Sequence, residues 1–252
     1  MNVDRALIIR RDGVELSQKY AAGCAKSCEE HNLPYEFIKA VEFLSCEEAY
    51  KSVGARLSNY TNGSGNCCIH SSMIKCWKRI VELQKTCIIL EHDAIVLGDV
   101  TNINIPDNTV VTFGGHVLQI DEYKPVCPAF NLVRLTSAKG CHAYSITPVT
   151  AQNLLDDVDK HGIWVGVDKL LMLRPKRVVS DPRYRNLQLL MCEPPQVVAW
   201  NRLSTNKMEN TNQVKAKFVN IKNPVSMMTK YWIKGLKKNH PDLWRISILT
   251  DR

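Results

Sequence analysis

The chain has 252 residues, a formal net charge of +8 and an apolar fraction of 45%. This length and composition suit one large α/β domain, alone or with an extension, and allow a sizeable core. No run of 18 or more apolar residues occurs, which excludes a transmembrane helix of ordinary length. The first residues contain no cleavage-like segment, so we expect no signal peptide.

A strand, a helix and a second strand are predicted at residues 6–9, 14–31 and 35–41. Such a βαβ unit implies a parallel sheet, and parallel sheets bind ligands beyond the carboxyl ends of their strands. Arg10 and Arg11 follow the first strand, where they are candidates for binding a diphosphate. The alternative is that they are two solvated charges before a turn.

The next helix is predicted after a polar loop at residues 58–66, which reads SNYTNGSGN and is expected to border the site. The hydroxyl of Ser71 or Ser72 can cap this helix. Trp77 lies on its apolar face, and we expect that side chain in the core rather than against a sugar.

An acidic segment interrupts the apolar run that follows. Residues 87–90 read CIIL, which is typical of a strand buried on both faces, and residues 94–97 resume the run after Glu91, His92 and Asp93. Carboxylates at the end of a buried strand are costly unless a positive group lies beside them. A divalent cation carrying a pyrophosphate would be such a group. A short acidic pair in an ordinary turn is the alternative.

Further strands are predicted at residues 110–115, 132–135 and 141–146, and the first of these ends in two glycines that allow close backbone approach. Thr147 and Pro148 are typical of a helix start, as N-cap and first-turn proline. The pattern therefore continues to predict an α/β domain.

The excess positive charge lies almost entirely in the last fifth of the chain. Residues 206–252 contain ten Lys and Arg against three acids. A helix is predicted at residues 223–238, and one stripe of it is basic, formed by Lys230, Lys234, Lys237 and Lys238. We divide the chain into a domain at 1–205 and a basic extension at 206–252. The stripe favours a polyanionic partner, and a solvated face is the alternative.

Ten cysteines occur, mostly at positions predicted to lie in the core, such as Cys24 and Cys87. No pair of CxxC motifs is present, so a structural zinc site is not expected. Free buried thiols are typical of a reducing compartment, and we therefore expect a cytoplasmic protein, in the host cytoplasm if the chain is viral.

Four segments resemble, in the same order, the family 25 glycosyltransferases, which include bacterial lipo-oligosaccharide enzymes and collagen galactosyltransferases. The segments are CIHSSMIKCWKRI at 68–80, TCIILEHDA at 86–94, GCHAYSITPVTAQNLL at 140–155 and WVGVDKLL at 164–171. The resemblance covers residues 6–205. It implies a GT-A fold, Rossmann-like with a mostly parallel central sheet, and an inverting transfer from a nucleotide-diphosphate sugar, expected to be a UDP-sugar.

The resemblance also implies roles for individual residues. Ser72, Glu91 and Asp93 match donor-binding positions, and Ser204 lies in a segment that resembles the family's closing donor-phosphate segment. Asp93, with Glu91, is expected to bind Mn²⁺ or Mg²⁺. Asp168 matches the family's Val-Asp and is the candidate base that takes the acceptor hydroxyl's proton. Its alternative role is the N-cap of a short helix at 169–173.

The chain departs from the family pattern at two places. The middle acid of the family's Glu-Asp-Asp is His92 here, and the histidine that follows the family's serine is Met73. Both departures bear on the donor sugar and on the dependence on metal.

Three functions follow from these observations. The favoured one is a glycosyltransferase whose acceptor is a hydroxymethylated pyrimidine in DNA, as in bacteriophage DNA modification, with DNA bound by the basic extension. A lipo-oligosaccharide transferase docked on an anionic membrane is the alternative within the same class. An alternative of another class is a non-catalytic nucleic-acid-binding module on a transferase-like fold. A plain nucleotide-binding protein is disfavoured, since GxxxxGK[ST] and GxGxxG are absent.

Overall fold

A βαβ unit opens the chain and sets the direction of the central sheet. In the computed structural model, which describes residues 1–43, 45–58, 64–114, 116–125, 131–193 and 196–199, β1 is Arg5–Arg10, α1 is Glu15–Glu30 and β2 is Tyr35–Lys39. β1 and β2 pair in parallel, as predicted. The buried face of α1 includes Ala21, Cys24, Ala25 and Cys28.

The remaining elements follow in chain order. They are α2 Cys46–Lys51, α3 Ser64–Leu83, β3 Cys87–Glu91, β4 Ala94–Val96, β5 Thr109–Thr112, β6 His116–Pro125, β7 Asn131–Lys139, β8 Ala143–Ile146, α4 Pro148–His161, a π-helix Asp168–Leu173, α5 Lys176–Val179, β9 Gln188–Glu193 and β10 Val197–Ala199. Eight of the strands form one sheet in the order β2-β1-β3-β8-β5-β9-β7-β6. β4 and β10 form a separate two-stranded sheet.

The central sheet is mixed. Among the described strands, β1 pairs in parallel with β2 and β3, and β5 pairs in parallel with β9. The other four neighbouring pairs are antiparallel. The prediction of an α/β fold is therefore confirmed, whereas the prediction of a mostly parallel sheet is wrong in detail. Insertion of β8 between β3 and β5 and addition of the β6–β7 hairpin supply the antiparallel pairs.

The strand order reverses at β1. From β1 the chain crosses to β2 on one side, and later returns to place β3 on the other side. The carboxyl ends of β1, β2, β3 and β5 lie at one edge of the sheet, together with the amino end of the antiparallel β8. Open α/β sheets bind ligands at such a reversal, so this edge is where a site is expected.

Two apolar clusters fill the space on either face of the sheet. β3 contributes to both, with Cys87 and Ile89 in the cluster under α3 and α4 and Ile88 and Leu90 in the cluster under α1. The predicted burial of this strand on both faces is confirmed. Trp77 belongs to the first cluster, where its indole N–H donates to the Tyr144 hydroxyl at 2.9 Å.

Helix α3 begins earlier than predicted. Because it starts at Ser64, neither Ser71 nor Ser72 caps it, and the predicted loop at 58–66 ends in helix. By contrast, Thr147 caps α4 as predicted, since its hydroxyl accepts a hydrogen bond from the Thr150 N–H at 3.2 Å. The caps differ in predictability because Thr147-Pro148 is a strong local signal, whereas the start of α3 lies in a segment rich in Gly, Asn and Ser.

A disulfide joins Cys46 at the start of α2 to Cys67 in α3. The expectation of free thiols is therefore wrong for these two residues. Seven other cysteines of the described chain are free, and six of them are buried. The pairing could not be read from sequence, because it depends on how α2 packs against α3.

No helix in the described part of the chain is long and apolar enough to cross a bilayer. The predicted boundary at 205/206 and the predicted basic helix at 223–238 lie outside the described residues, as do Ser204 and the four lysines of the stripe.

Candidate functional site: an acidic turn at the edge of the sheet

The acidic turn lies where the chain leaves the central sheet. Glu91 is the last residue of β3, and His92 and Asp93 form the turn into β4, which belongs to the other sheet. The Glu91 N–H donates to the His142 carbonyl at 2.9 Å, which fixes the turn against the amino end of β8. The three residues therefore lie at the carboxyl edge, beside the reversal of strand order.

Asp93 is a buried acid with an unsatisfied oxygen. Its side chain is only 8% exposed, and Oδ1 has no hydrogen-bond partner among the described residues. Burial raises the pKa of Asp93, and the neighbouring His92 opposes that rise. An unpaired buried oxygen of this kind costs about 1–3 kcal/mol. Asp93 therefore lowers the stability of the fold, as residues at functional sites commonly do.

Glu91 has two further carboxylates near it. Burial raises the pKa of Glu91 to about 8, and repulsion from Asp93 and Asp168 adds to the rise. Asp168 is distant in sequence and exposed, and it lies at the start of the π-helix. It also contacts the Cys141 thiol. Burial raises the pKa of that thiol, and Asp168 raises it further. The N-cap of this helix is Val167, so the N-cap role considered for Asp168 is wrong. The fold thus brings the three acids together.

These acids could supply only some of the ligands that a divalent cation needs. In the part of the chain that the structure describes, no group of three or more His, Cys, Asp or Glu side chains is arranged to hold a metal ion. The unsatisfied Oδ1 of Asp93 and the mutual repulsion of the acids nevertheless fit a positive partner. Mg²⁺ and Mn²⁺ commonly take one or two protein carboxylates and complete their coordination with phosphate and water.

The side chain of His92 packs against α1. Its ring stacks on Tyr20 of α1, with centroids 5.9 Å apart and planes 4° apart. Burial lowers the pKa of His92, the neighbouring Asp93 opposes that fall, and the positive charge of Arg11 adds to it. Replacement of the family's middle acid by this histidine removes a negative charge and anchors the turn to α1.

Both arginines predicted to bind the donor lie at the carboxyl end of β1. Arg10 donates to Asp12 at 2.9 Å, and its guanidinium lies 4.4 Å from the centre of the Phe37 ring. Arg11 pairs with Glu42 and lies close enough to His92 to lower its pKa. A diphosphate at this edge would therefore compete with two carboxylates for these guanidinium groups.

Ser72 has contacts of another kind. It is buried at 2% exposure, accepts a hydrogen bond from the Val41 N–H at 2.9 Å and donates to the Cys68 carbonyl at 2.7 Å. These contacts hold the segment after β2 against α3. They give no support to the prediction that Ser72 contacts the donor.

His142 was not singled out from the sequence, although it lies beside the acidic turn. A Cβ atom added to Gly114 would come within 2.6 Å of the His142 ring and 2.3 Å of the Val197 carbonyl. The predicted close backbone approach at the end of β5 is thus confirmed for Gly114. In the sequence, His142 lies inside the strand predicted at residues 141–146, whereas in the structure it lies just before β8.

Two surface depressions on the described chain lie elsewhere. One is bordered by α4 and the segment around Arg183 and Tyr184, and the other by Gly54 and Asp159. In the first, Arg183 is already paired with Asp157 and Asp181. The acidic turn is the candidate site because its charges repel one another, whereas Arg183 in the first depression is already paired with acids.

The fold and this edge define an α/β protein with a mixed sheet and three converging carboxylates. No protein-family model matches the chain, and a search of curated proteins found no match either. The resemblance to family 25 glycosyltransferases therefore rests on the four sequence segments and stays a prediction.

Proposed function

We propose that the chain is a glycosyltransferase that moves a sugar from a nucleotide-diphosphate sugar, expected to be a UDP-sugar, to a hydroxyl group. The observation that carries this proposal is the convergence of Glu91, Asp93 and Asp168 beside the reversal of strand order. The sequence resemblance assigns these same positions to donor, metal and base.

Each acid has a distinct part in the proposed reaction. Glu91 and Asp93 would hold Mn²⁺ or Mg²⁺, which would supply positive charge against the departing diphosphate. The exposed Asp168 accepts the proton of the acceptor hydroxyl. As that proton leaves, the hydroxyl oxygen bonds to the anomeric carbon and the bond from that carbon to the diphosphate breaks.

The proposed acceptor is a hydroxymethylated pyrimidine in DNA. The support for this choice is the basic stripe of Lys230, Lys234, Lys237 and Lys238, which is a property of the sequence. A glycolipid on an anionic membrane is the alternative acceptor, since the same lysines would bind its surface.

A non-catalytic nucleic-acid-binding module is the second candidate. It is favoured by His92 in place of an acid and by the incomplete cation ligands of the described residues. The two candidates differ in donor turnover, because a binding module releases no nucleotide diphosphate.

The test is donor hydrolysis by the full chain. A panel of nucleotide sugars is incubated with the protein and Mn²⁺, and release of the nucleoside diphosphate is measured. We expect slow release by the wild type and at least a hundredfold loss for Asp93→Asn, within the range of single catalytic groups. Asp159→Asn, at an exposed residue of α4, is the matched control and should retain activity.

Two results would contradict the proposal. One is the absence of release with every donor, which would favour the binding module. The other is equal release by the wild type and Asp93→Asn, which would place the chemistry elsewhere.

A further inference from the structure

Cys46 and Cys67 differ from the other described cysteines because they form a disulfide. The other seven are free, and six of these are buried. Thiols stay free where the surroundings are reducing, and a disulfide in such surroundings is usually transient, with a catalytic or redox-sensing role. One disulfide beside seven free thiols is therefore typical of a bond that forms and breaks.

The bond is accessible from one side. Cys46 is only partly buried at the first turn of α2, where Ser45, Glu47 and Glu48 are exposed, whereas Cys67 is fully buried in α3. A disulfide is reduced when a thiolate attacks one of its sulfurs and forms a mixed disulfide. We therefore expect an external thiolate to attack the sulfur of Cys46.

Reduction by two molecules of a small thiol, such as glutathione, takes two steps. The first thiolate bonds to Sγ of Cys46, the bond to Cys67 breaks, and Cys67 leaves with the electron pair and takes up a proton. A second thiolate attacks the sulfur of the attached small thiol and releases Cys46, which is protonated in turn. The two small thiols end as one disulfide, and the protein has gained two electrons and two protons.

The connection from β2 to α2 links the disulfide to the carboxyl edge of the sheet. In this connection the Val41 N–H donates to the Ser72 hydroxyl at 2.9 Å, and Glu42 pairs with Arg11 just beyond the end of β1. Cys46 is four residues after Glu42, a distance of at most about 14 Å along an extended chain. The disulfide therefore fixes to α3 the far end of the stretch that carries Glu42.

The disulfide is the strongest described restraint on this connection. A disulfide typically stabilises a fold by more than one neutral hydrogen bond or one partly exposed ion pair. Once it is reduced, the described contacts that hold the connection are weaker ones, and the Glu42 side chain is exposed. The capping box of Ser45 and Glu48 does not depend on the bond, so we expect α2 to persist while the connection loosens.

We propose that the Cys46–Cys67 disulfide is a reversible redox switch that sets how tightly the connection from β2 to α2 is held at the carboxyl edge. In the oxidised form the connection keeps Glu42 on Arg11, where this carboxylate competes with the diphosphate of the donor. In the reduced form Glu42 is at Arg11 less often, so the diphosphate binds more tightly. This last step rests on the proposed function, whereas the reversible bond and the loosening do not.

The first experiment tests reversibility. The full chain is equilibrated at different ratios of reduced to oxidised glutathione, starting from both the oxidised and the reduced protein. Free thiols are then alkylated, and the alkylated fractions of Cys46 and Cys67 are measured by mass spectrometry. We expect both starting states to reach the same fractions. A bond that stays intact in excess reduced glutathione, as structural disulfides do, or that never reforms would overturn the proposal.

Amide hydrogen exchange of the oxidised and the reduced protein tests the loosening. We expect the Val41 amide to exchange faster by about tenfold or more after reduction, while amides in the middle of α4 keep their protection. Cys46→Ser/Cys67→Ser should exchange like the reduced wild type in either buffer. Unchanged protection of Val41 on reduction would overturn the proposal.

Cys68→Ser is the matched control for both experiments. It removes the neighbouring free thiol but keeps a donor for the Phe43 carbonyl, so it should respond to glutathione like the wild type. Loss of the response in Cys68→Ser would assign the switch to another thiol and overturn the pairing. If Cys46→Ser/Cys67→Ser does not fold, reduced wild type compared with reduced Cys68→Ser decides the result.

A third experiment tests the link to the donor. UDP with Mn²⁺ is titrated against the oxidised and the reduced protein. We expect UDP to bind about threefold more tightly to the reduced wild type, and to bind Glu42→Gln equally in both states. Equal affinity of the wild type in both states would overturn the effect on the donor. Absence of UDP binding in either state would contradict the proposed function, and the first two experiments would still decide the switch.

Discussion

His70 is a buried histidine of α3 that makes no described hydrogen bond. It is 1% exposed, neither ring nitrogen has a partner among the described residues, and its ring lies edge-on to Tyr50 and Trp77 at 5.8 Å from each. Burial lowers its pKa from 6.5 to about 3. The described ring contacts of His70 are with Tyr50 and Trp77 in the core, so we expect His70 to affect stability.

Replacement of His70 should change how stability depends on pH. The unfolded chain binds the His70 proton with the ordinary pKa, so stability present above pH 6.5 is lost as the pH falls toward 3. His70→Phe keeps an aromatic ring and removes this loss. We expect its free energy of unfolding, relative to the wild type, to rise by about 2 kcal/mol between pH 6.5 and pH 4.5, since the slope approaches 1.36 kcal/mol for each pH unit below the ordinary pKa.

Urea unfolding at several pH values measures that difference. The exposed His161, changed to Gln, provides the control and should show no comparable trend. A constant difference between His70→Phe and the wild type across this range would show that the buried ring finds a proton acceptor.

Asp93 should lower stability while supporting the proposed activity. Burial of the carboxylate opposes its ionisation, and its Oδ1 has no hydrogen-bond partner among the described residues. Asp93→Asn keeps the shape of the side chain and removes the charge, so we expect the free energy of unfolding at pH 7 to rise by about 1 kcal/mol without divalent cation. Denaturant unfolding would measure this change. A loss of stability would instead make Asp93 a structural residue.

Residues near the start of α3 contact the segment that follows β2. Ser72 accepts from the Val41 N–H, the Cys68 thiol donates to the Phe43 carbonyl at 3.6 Å, and Cys67 is covalently linked to Cys46. The same segment includes Glu42, the partner of Arg11 at the acidic edge. The disulfide therefore closes a series of contacts that positions one border of the proposed site.

Reduction of the Cys46–Cys67 bond should destabilise the protein. The bond spans 21 residues in sequence, and the chain-entropy account assigns about 3 kcal/mol to a loop of similar length. We expect dithiothreitol to lower the free energy of unfolding of the wild type by about 2–4 kcal/mol. A Cys46→Ser/Cys67→Ser variant should have the lower stability and be insensitive to the reductant. Equal stability of the two proteins without reductant would show that the thiols are not paired.

Elements with strong local signals were predictable, and their arrangement was not. The βαβ unit, the buried β3 and the capped start of α4 follow from hydrophobic pattern and capping residues. The antiparallel β8 between β3 and β5 depends on packing across the sheet, which no local pattern encodes. The proximity of Glu91 to Asp168 was expected only from the family resemblance.

At the scale of the whole molecule, charge is separated along the chain. Residues 206–252 carry seven of the eight net positive charges, so residues 1–205 are nearly neutral. A polyanion would therefore meet most of the favourable charge in the extension. Each lysine there that neutralises a DNA phosphate releases counterions, which makes affinity fall steeply with salt.

Reversal of the basic stripe should abolish most DNA binding. Changing Lys230, Lys234, Lys237 and Lys238 to Glu lowers the formal net charge from +8 to zero. If these lysines contact phosphates, we expect the slope of log affinity against log salt concentration to decrease by about 3–4 in magnitude. Fluorescence anisotropy with labelled duplex and single-stranded DNA at several salt concentrations measures that slope.

The control places the same charge change on the domain. Lys19, Lys26, Lys51 and Lys160 are exposed, and changing all four to Glu also brings the net charge to zero. Loss of DNA affinity in the stripe variant alone would locate binding in the extension, because net charge is matched. Equal losses in both variants would leave only non-specific attraction to DNA. The glycolipid would then be the preferred acceptor, and anionic vesicles would be the next ligand to titrate.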